Sequence, residues 1–162
     1  MFIVKWLFIV IIVIAASVLL IGQLGLLQGR EPNNLGVRDG KLKPPSIKPN
    51  SVSSQASMHA DHPMRAYADI APLPVKGDGP ATLARIKAVV VGMPGARVIK
   101  SEPDYLYAQF TSRLMKYVDD TEFWFDPAAN TIQVRSSSRV GGDDFGVNRK
   151  RIEEVRRRLA GA

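Results

Sequence analysis

The chain has 162 residues, of which 46% are hydrophobic and 23% charged. Its 22 Lys and Arg residues outnumber 15 Asp and Glu residues, which gives a formal net charge of +7. This length fits one ordinary domain with an appendage and argues against an enzyme of two full domains. The chain has no cysteine, which excludes disulfide frameworks, thiolate metal sites, cysteine nucleophiles and lipid attachment through a cysteine.

An uncharged apolar segment extends from Trp6 to Leu27, and Ser17 and Gln23 are its only strongly polar side chains. As a helix it is roughly 33 Å long, enough to cross the hydrocarbon core of a bilayer. Apolar residues occupy every face, which favours lipid over one side of a globular core. A cleaved signal peptide is the alternative. The apolar run continues past the small residues at 15–17, so we expect an uncleaved anchor over residues 1–28 and a lipid bilayer as partner.

The next segment, residues 29–50, is rich in Pro, Gly and Asn and has no apolar periodicity. This composition predicts a flexible, solvated linker. Residues 51–80 give no secure regular element, although Ile70, Pro72, Leu73 and Val75 can pack along the edge of a sheet.

The remaining chain has the periodicity of regular elements. Leu83, Ile86, Val90 and Met93 recur at helical spacing after Pro80, and Pro94 and Gly95 end the helix. A closing helix is expected over about residues 148–159, with Ile152, Val155 and Leu159 on one face.

Between these two helices we expect three strand-like runs, which are Arg97–Lys100 extending through Tyr105–Ser112, then Val118–Asp126, then Thr131–Ser138. Asp126, Pro127 and Asn130 supply a turn that makes the last two runs a hairpin. The predicted fold is therefore α+β. An N-terminal transmembrane helix precedes a small domain, residues 51–162, in which two helices pack on one face of an antiparallel β-meander.

Three blocks of sequence are distinctive. They are PNSVSSQ at residues 49–55, the acidic residues 119, 120 and 122 followed by Phe123, and VRSSSRVG at 134–141 running into DFGVNRKR at 144–151. Together they resemble a bacterial and plastid family catalogued as domain-of-unknown-function family 1499, over roughly residues 44–160. The resemblance implies an uncharacterised envelope protein and no established activity. Two cysteines usual in that family are replaced here by Pro45 and Ser51.

The third block and its acidic partners form the candidate site. Arg135, Ser136, Ser138, Arg139, Asn148 and Arg149 accompany Asp119, Asp120 and Asp144. One interpretation is a structural network of Arg forks and carboxylates that ties the hairpin to the last helix. The other is an anion pocket, in which Arg135, Arg139 and the serines converge with the amides at the start of that helix. An anion pocket requires at least one arginine without a carboxylate partner.

Other chemistry has weaker signals. A hydrolytic or metal-dependent enzyme using Asp120, Asp144 and Arg139 is the alternative function, but adjacent residues on a strand face opposite ways, so each acidic pair offers one carboxylate to a site. His59 and His62 are weak metal candidates in an irregular stretch. We expect no cofactor. The basic run 149–158 favours a solvated or lipid-facing helix, and no nucleic acid is expected.

These observations favour a membrane-anchored envelope module that is non-catalytic. Its expected ligand is an anionic or lipidic small molecule, and a docking role with another envelope protein is the further alternative. Taken alone, the count of positive charges on the two sides of the apolar segment predicts a cytoplasmic domain. A long following domain can, however, be translocated regardless of such charges. With the resemblance, we expect a single pass through the bacterial inner membrane with the soluble domain in the periplasm.

Overall fold

The computed structural model describes residues 2–161, and its order of elements confirms the α+β fold. A long helix, α1 (Phe2–Gln23), precedes an antiparallel sheet and three further helices. In chain order these are β1 (Ser51–Ser53), a 3-10 turn (Ala56–Met58), α2 (Arg65–Ala68), β2 (Leu73–Pro74), α3 (Gly79–Val91), β3 (Ala96–Ser101), β4 (Tyr105–Thr111), β5 (Val118–Asp126), β6 (Thr131–Ser138) and α4 (Val147–Ala160).

The first helix is long and apolar enough to cross a membrane, and none of its most apolar window is buried by the rest of the chain. Its C-terminal end contacts the loop between β4 and β5. There the Gln23 side-chain amide donates hydrogen bonds to the carbonyls of Leu114, at 2.7 Å, and Arg113, at 3.3 Å. A Cβ on Gly22 would lie 3.1 Å from the Met115 backbone, so a residue without a side chain permits this close approach. The loop 112–117 therefore lies at the end of the apolar helix.

The six strands form one sheet in the order β1-β6-β5-β4-β3, and β2 pairs with the far end of β6. The predicted hairpin is confirmed, because Asp126 pairs with Thr131 and the register continues to Asp119 and Ser138. The first strand-like run differs from the expectation of one continuous strand. It is two antiparallel strands, β3 and β4, separated by a turn in which the Glu102 amide donates to the Tyr105 carbonyl.

One face of the sheet packs against α3 and α4, as predicted. The α3 helix begins where the Asp78 side chain accepts a hydrogen bond from the Ala81 amide and Pro80 occupies the first turn. Gly79 is needed for packing, since a Cβ there would lie 2.3 Å from the Phe125 ring. Apolar residues of both helices and of alternate strand positions form the main core, which includes Leu83, Ile86, Val90, Leu106, Phe110, Phe123, Ile132, Val134, Ile152 and Val155.

The opposite face of the sheet is covered by residues 34–45, which we call the strap. Leu42 is 2% exposed and packs in a second apolar cluster with Tyr105, Tyr107 and Trp124. The Gly36 amide donates to Glu122 Oε1 at 2.7 Å. The domain boundaries stay a prediction, but this part of the predicted linker packs on the sheet instead of lying free in solvent. Composition did not predict this packing, because the segment has no apolar periodicity. It contacts the sheet through isolated apolar side chains and backbone amides.

Residues 51–80 contain short elements, and Leu73 lies along the edge of the sheet as expected. β1 pairs with β6 through Ser51, Val52 and Ser53, and β2 adds a two-residue pairing at Leu73 and Pro74. Strands of two or three residues are too short to show an alternating pattern. They extend the predicted meander by an edge on the β6 side.

Candidate functional site

Strand alternation divides the predicted site residues between the two faces of the sheet. Asp119, Ser136 and Ser138 face α4, while Asp120, Arg135 and Arg139 face the strap. Neighbouring residues on a strand point to opposite faces, so this division follows directly from the backbone. The predicted residues therefore form two separate polar networks.

The network facing α4 links the β5–β6 hairpin to the last helix. Arg151 donates to Asp119 Oδ2 at 2.5 Å and to Ser136 Oγ at 2.9 Å, and its guanidinium lies 4.5 Å from the centre of the Phe110 ring. Asn148 is fully buried, accepts from Ser136 at 2.6 Å and donates to Ser138 at 3.0 Å. These contacts correspond to the structural network considered from the sequence.

Asp144 occupies the start of α4. Its carboxylate accepts hydrogen bonds from the backbone amides of Gly146 and Asn148, both at 2.9 Å, and from the Tyr67 hydroxyl at 2.7 Å. Burial favours the neutral acid, but the hydrogen bonds from Tyr67, Asn148 and Gly146 outweigh burial and hold the pKa of Asp144 below its ordinary value. Burial, followed by the hydrogen bond to this carboxylate, raises the pKa of Tyr67 to about 12. The helix amides proposed for an external anion are thus used by the chain's own carboxylate.

Beneath the strap lies a buried ion pair of Glu122 and Arg135. Glu122 is fully buried, and Arg135 Nη1 lies 3.4 Å from its Oε2. The Tyr105 hydroxyl and the Gly36 amide both donate to Glu122 Oε1, each at 2.7 Å. Burial, followed by the Glu122 charge, raises the pKa of Tyr105. Burial also lowers the pKa of Arg135, while Glu122 acts in the opposite direction.

A second buried pair on the same face joins Asp120 and Arg139. Arg139 donates two hydrogen bonds to the carboxylate, from Nε at 2.9 Å and from Nη2 at 2.8 Å, which is a bidentate arrangement. The Tyr107 hydroxyl donates to Asp120 Oδ1 at 2.5 Å. Burial and this hydrogen bond raise the pKa of Tyr107 to about 12, and the hydrogen bond to Asp120 raises the pKa of Arg139.

These geometries decide which predicted residues act together. Arg135 and Arg139 each have a carboxylate partner, so they do not converge with Ser136, Ser138 and the helix amides on one anion. Arg149 donates to the Tyr67 carbonyl at 2.5 Å instead. Asp120 and Asp144 lie on opposite sides of the sheet, so the cluster required by the enzyme alternative is not assembled by the described residues.

The two histidines lie beside each other in the loop after β1. Their ring centres are 6.5 Å apart, and burial with the nearby charge of Lys41 lowers the pKa of His59. Within residues 2–161, no group of three or more His, Asp or Glu side chains is placed to hold a metal ion.

A groove that sequence reasoning missed lies between the end of α1 and the sheet; we call it the anchor groove. It encloses about 600 Å³ and has an apolar lining of Leu26, Leu27, Tyr117, Val140, Phe145 and Val147, with Asp119, Ser138 and Asp144 among its polar residues. Phe145 is 84% exposed and has a φ of 51°, a left-handed conformation unfavourable for a bulky residue. An exposed aromatic side chain on a strained backbone is a combination that occurs at binding sites.

A second groove adjoins the anchor groove and shares Ser112, Asp119 and Val147 with it. This basic groove encloses about 710 Å³ beside α4, and its lining includes Arg113, Lys116, Lys150, Arg151 and Glu154. The only signal in the sequence was the spacing of basic residues at 113, 116 and 149–151. Their convergence depends on the sheet bringing the β4–β5 loop beside α4.

Comparison with known proteins places the chain in a family. No curated protein and no solved structure matches it. One family model does match, over residues 41–159, and this range contains all six strands, α3 and nearly all of α4. The chain therefore belongs to the family described as "Protein of unknown function (DUF1499)".

Proposed function

We propose that this protein is a membrane-anchored, non-catalytic binding module of the cell envelope, and that it holds a lipidic ligand in the anchor groove. The observation that carries the proposal is the position of the groove. It begins at Leu26 and Leu27, directly after the helix that is apolar enough to span a bilayer. A lipid leaving the bilayer at this point meets an apolar lining without crossing water.

The chemistry of the lining supports a lipid more than a small polar substrate. Phe145 and Val147 are exposed apolar residues, 84% and 47%, at the rim of the groove. Each carboxylate in the groove already accepts a hydrogen bond: Asp119 from Arg151, Asp144 from Asn148 and Tyr67, and Asp143 from the Phe145 amide at 2.7 Å. The groove therefore offers apolar contact area, and its engaged carboxylates are poorly suited to general acid or base chemistry.

The test is lipid retention by the full chain, purified in a neutral detergent and measured by native mass spectrometry. We expect wild-type protein to retain lipid and Phe145→Asn to retain severalfold less. Asn suits a positive φ better than Phe, so this variant removes apolar area without adding backbone strain. Ile47→Asn is the matched control, because Ile47 is also largely exposed, at 73%, but does not line the groove. Wild-type protein free of lipid, or equal retention by both variants, would contradict the proposal.

We further propose that the membrane is the bacterial inner membrane and that the domain lies in the periplasm. The support is the family resemblance and the ability of a long domain to cross a membrane despite flanking positive charges. Reporter fusions at the C-terminus, one active only in the cytoplasm and one only in the periplasm, distinguish the two sides.

A further inference from the structure

We propose that the basic groove binds the phosphate of an anionic lipid headgroup, so that the protein selects anionic over zwitterionic lipids of its own bilayer. The inference rests on the proposed function, since it assigns the headgroup of the lipid whose acyl part lies in the anchor groove. It goes further by naming the lipid class and the residues that select it.

The first argument is the balance of charge in the basic groove. Arg113, Lys116 and Lys150 line it, and none of the three has an ion-pair partner among residues 2–161. The acidic residues in the lining are already neutralised. Asp119 pairs with Arg151 at 2.5 Å, and Glu154 pairs with Arg157 and Arg158, both at 2.7 Å.

The hydrogen bonds from Arg157 and Arg158 lower the pKa of Glu154 to about 2, so this carboxylate is ionised at physiological pH and lies beside two guanidinium groups. Three uncompensated positive charges therefore face the groove. A surface of this kind attracts phosphate-bearing groups, and Lys and Arg beside a bilayer each favour anionic lipid.

The second argument is position. The Gln23 side chain is hydrogen-bonded to the carbonyls of Arg113 and Leu114, which fixes the basic loop at the end of α1. Leu114 in the same loop is 64% exposed, so apolar and basic groups alternate where the helix leaves the bilayer. This pattern matches the boundary between acyl chains and headgroups.

The third argument is continuity between the two grooves. They share Ser112, Asp119 and Val147, so one elongated ligand can occupy both. The apolar part lies next to the anchor, and the basic part lies beyond it along α4. A phospholipid has the same division between an apolar and a charged end.

The experiment uses the full chain in neutral detergent with an equimolar mixture of phosphatidylglycerol and phosphatidylcholine that carry identical acyl chains. Native mass spectrometry gives the ratio of the two bound lipids. We expect wild-type protein to favour phosphatidylglycerol. In the Lys116→Asn/Lys150→Gln variant, the ratio of bound phosphatidylglycerol to phosphatidylcholine should fall roughly fivefold for each charge removed. Asn at position 116 suits its φ of 55°. The control, Lys87→Gln/Arg97→Gln, removes the same charge from exposed residues that line neither groove.

The outcomes separate this inference from the proposed function. Loss of preference in the groove variant, with preference kept in the control and phosphatidylcholine retention unchanged, supports the inference. Lipid retained by the wild type without any headgroup preference, or equal preference in both variants, overturns the inference and leaves the anchor groove intact. Absence of bound lipid overturns both. Displacement of the lipid by millimolar inorganic phosphate alone would also overturn it, since the site would then bind a soluble anion. Unchanged thermal unfolding of both variants verifies that they are folded.

Discussion

At the scale of single residues, the most informative feature is the pair of buried Arg–carboxylate contacts on the sheet face opposite α3 and α4. Removing two charges from water is costly, and a buried ion pair is often no more stabilising than apolar residues of the same shape. Asp120 nevertheless accepts two hydrogen bonds from Arg139 and one from Tyr107, whose hydroxyl also accepts one from Arg139. Their effect on stability should therefore appear mainly when one partner is removed alone.

Single substitutions in this pair should be much more harmful than the double substitution. Asp120→Asn and Arg139→Met each leave one buried charge without its partner and should each lower the free energy of unfolding by about 3–5 kcal/mol. The double variant should cost clearly less than the sum, because neither charge remains. Denaturant unfolding of the full chain in detergent micelles measures all three.

The exposed pair Glu154 and Arg157 provides the control for that cycle. Arg157 is 71% exposed at its side chain, so water replaces the lost contact and Glu154→Gln/Arg157→Met should change stability little. Additive costs for Asp120 and Arg139 would show that they do not act as a pair.

The tyrosines give a second prediction at this scale, on pH. The pKa values of Tyr67 and Tyr107 are raised to about 12, and that of Tyr105 is also raised, against an ordinary value of about 10. A tyrosine whose pKa is raised on folding contributes its full stabilisation below about pH 10, the pKa in the unfolded chain. This stabilisation is lost as the pH rises through the pKa of the folded state. Ultraviolet titration of tyrosinate should show these phenols neutral near pH 11 in the folded chain. The same chain in denaturant should ionise near pH 10, and identical curves would refute the burial described here.

At the scale of elements, the strap shields part of the polar face of the sheet from solvent. It adds no strand to the sheet's edge and covers the face through Leu42, the Gly36 amide and the Pro44 carbonyl, which accepts from Arg135 at 3.4 Å. Leu42 itself is positioned by Gln55, whose side chain accepts from the Leu42 amide at 2.8 Å. A segment without regular structure thus covers the Glu122–Arg135 ion pair, to which the Gly36 and Pro44 backbone contacts are made.

Leu42→Ala should lower the free energy of unfolding by about 2–5 kcal/mol, since it removes a buried side chain that the surroundings cannot easily replace. It should also speed amide exchange at residues 35–45 before the strands are affected. Ile47→Ala, at a position 73% exposed in the chain after the strap, should change stability by no more than about 0.5 kcal/mol. Unchanged exchange in the strap of the Leu42 variant would mean that this residue does not hold it down.

At the scale of the whole molecule, the elements with clear periodicity were predictable. The alternation of Phe123 and Phe125 with Glu122 and Trp124 sets the two faces of the sheet, and turn residues at 126–130 set the hairpin. Alternation also predicted that Asp119 and Asp120 serve different faces. The local sequence is sufficient to predict these features, because each pattern lies within one strand or one turn.

The remaining structure depends on contacts between distant segments. The strap has the composition of a linker, because its burial rests on isolated residues such as Leu42. The separation of β3 from β4 has a local signal, the turn residues Pro103 and Asp104, which lie within the single strand that the apolar pattern predicts. The two grooves form only when the end of α1, the loop 112–117 and residues 140–151 come together, so no single stretch of sequence describes them.

The hydrogen bonds from Gln23 to the β4–β5 loop also limit how far the sheet extends from the end of the apolar helix. With that loop held at the end of α1, β5 leads away from it, and its 9 residues span at most about 30 Å. The hairpin tip is therefore the outer limit of the sheet. The sheet can reach only partners that lie a short distance from the end of the apolar helix.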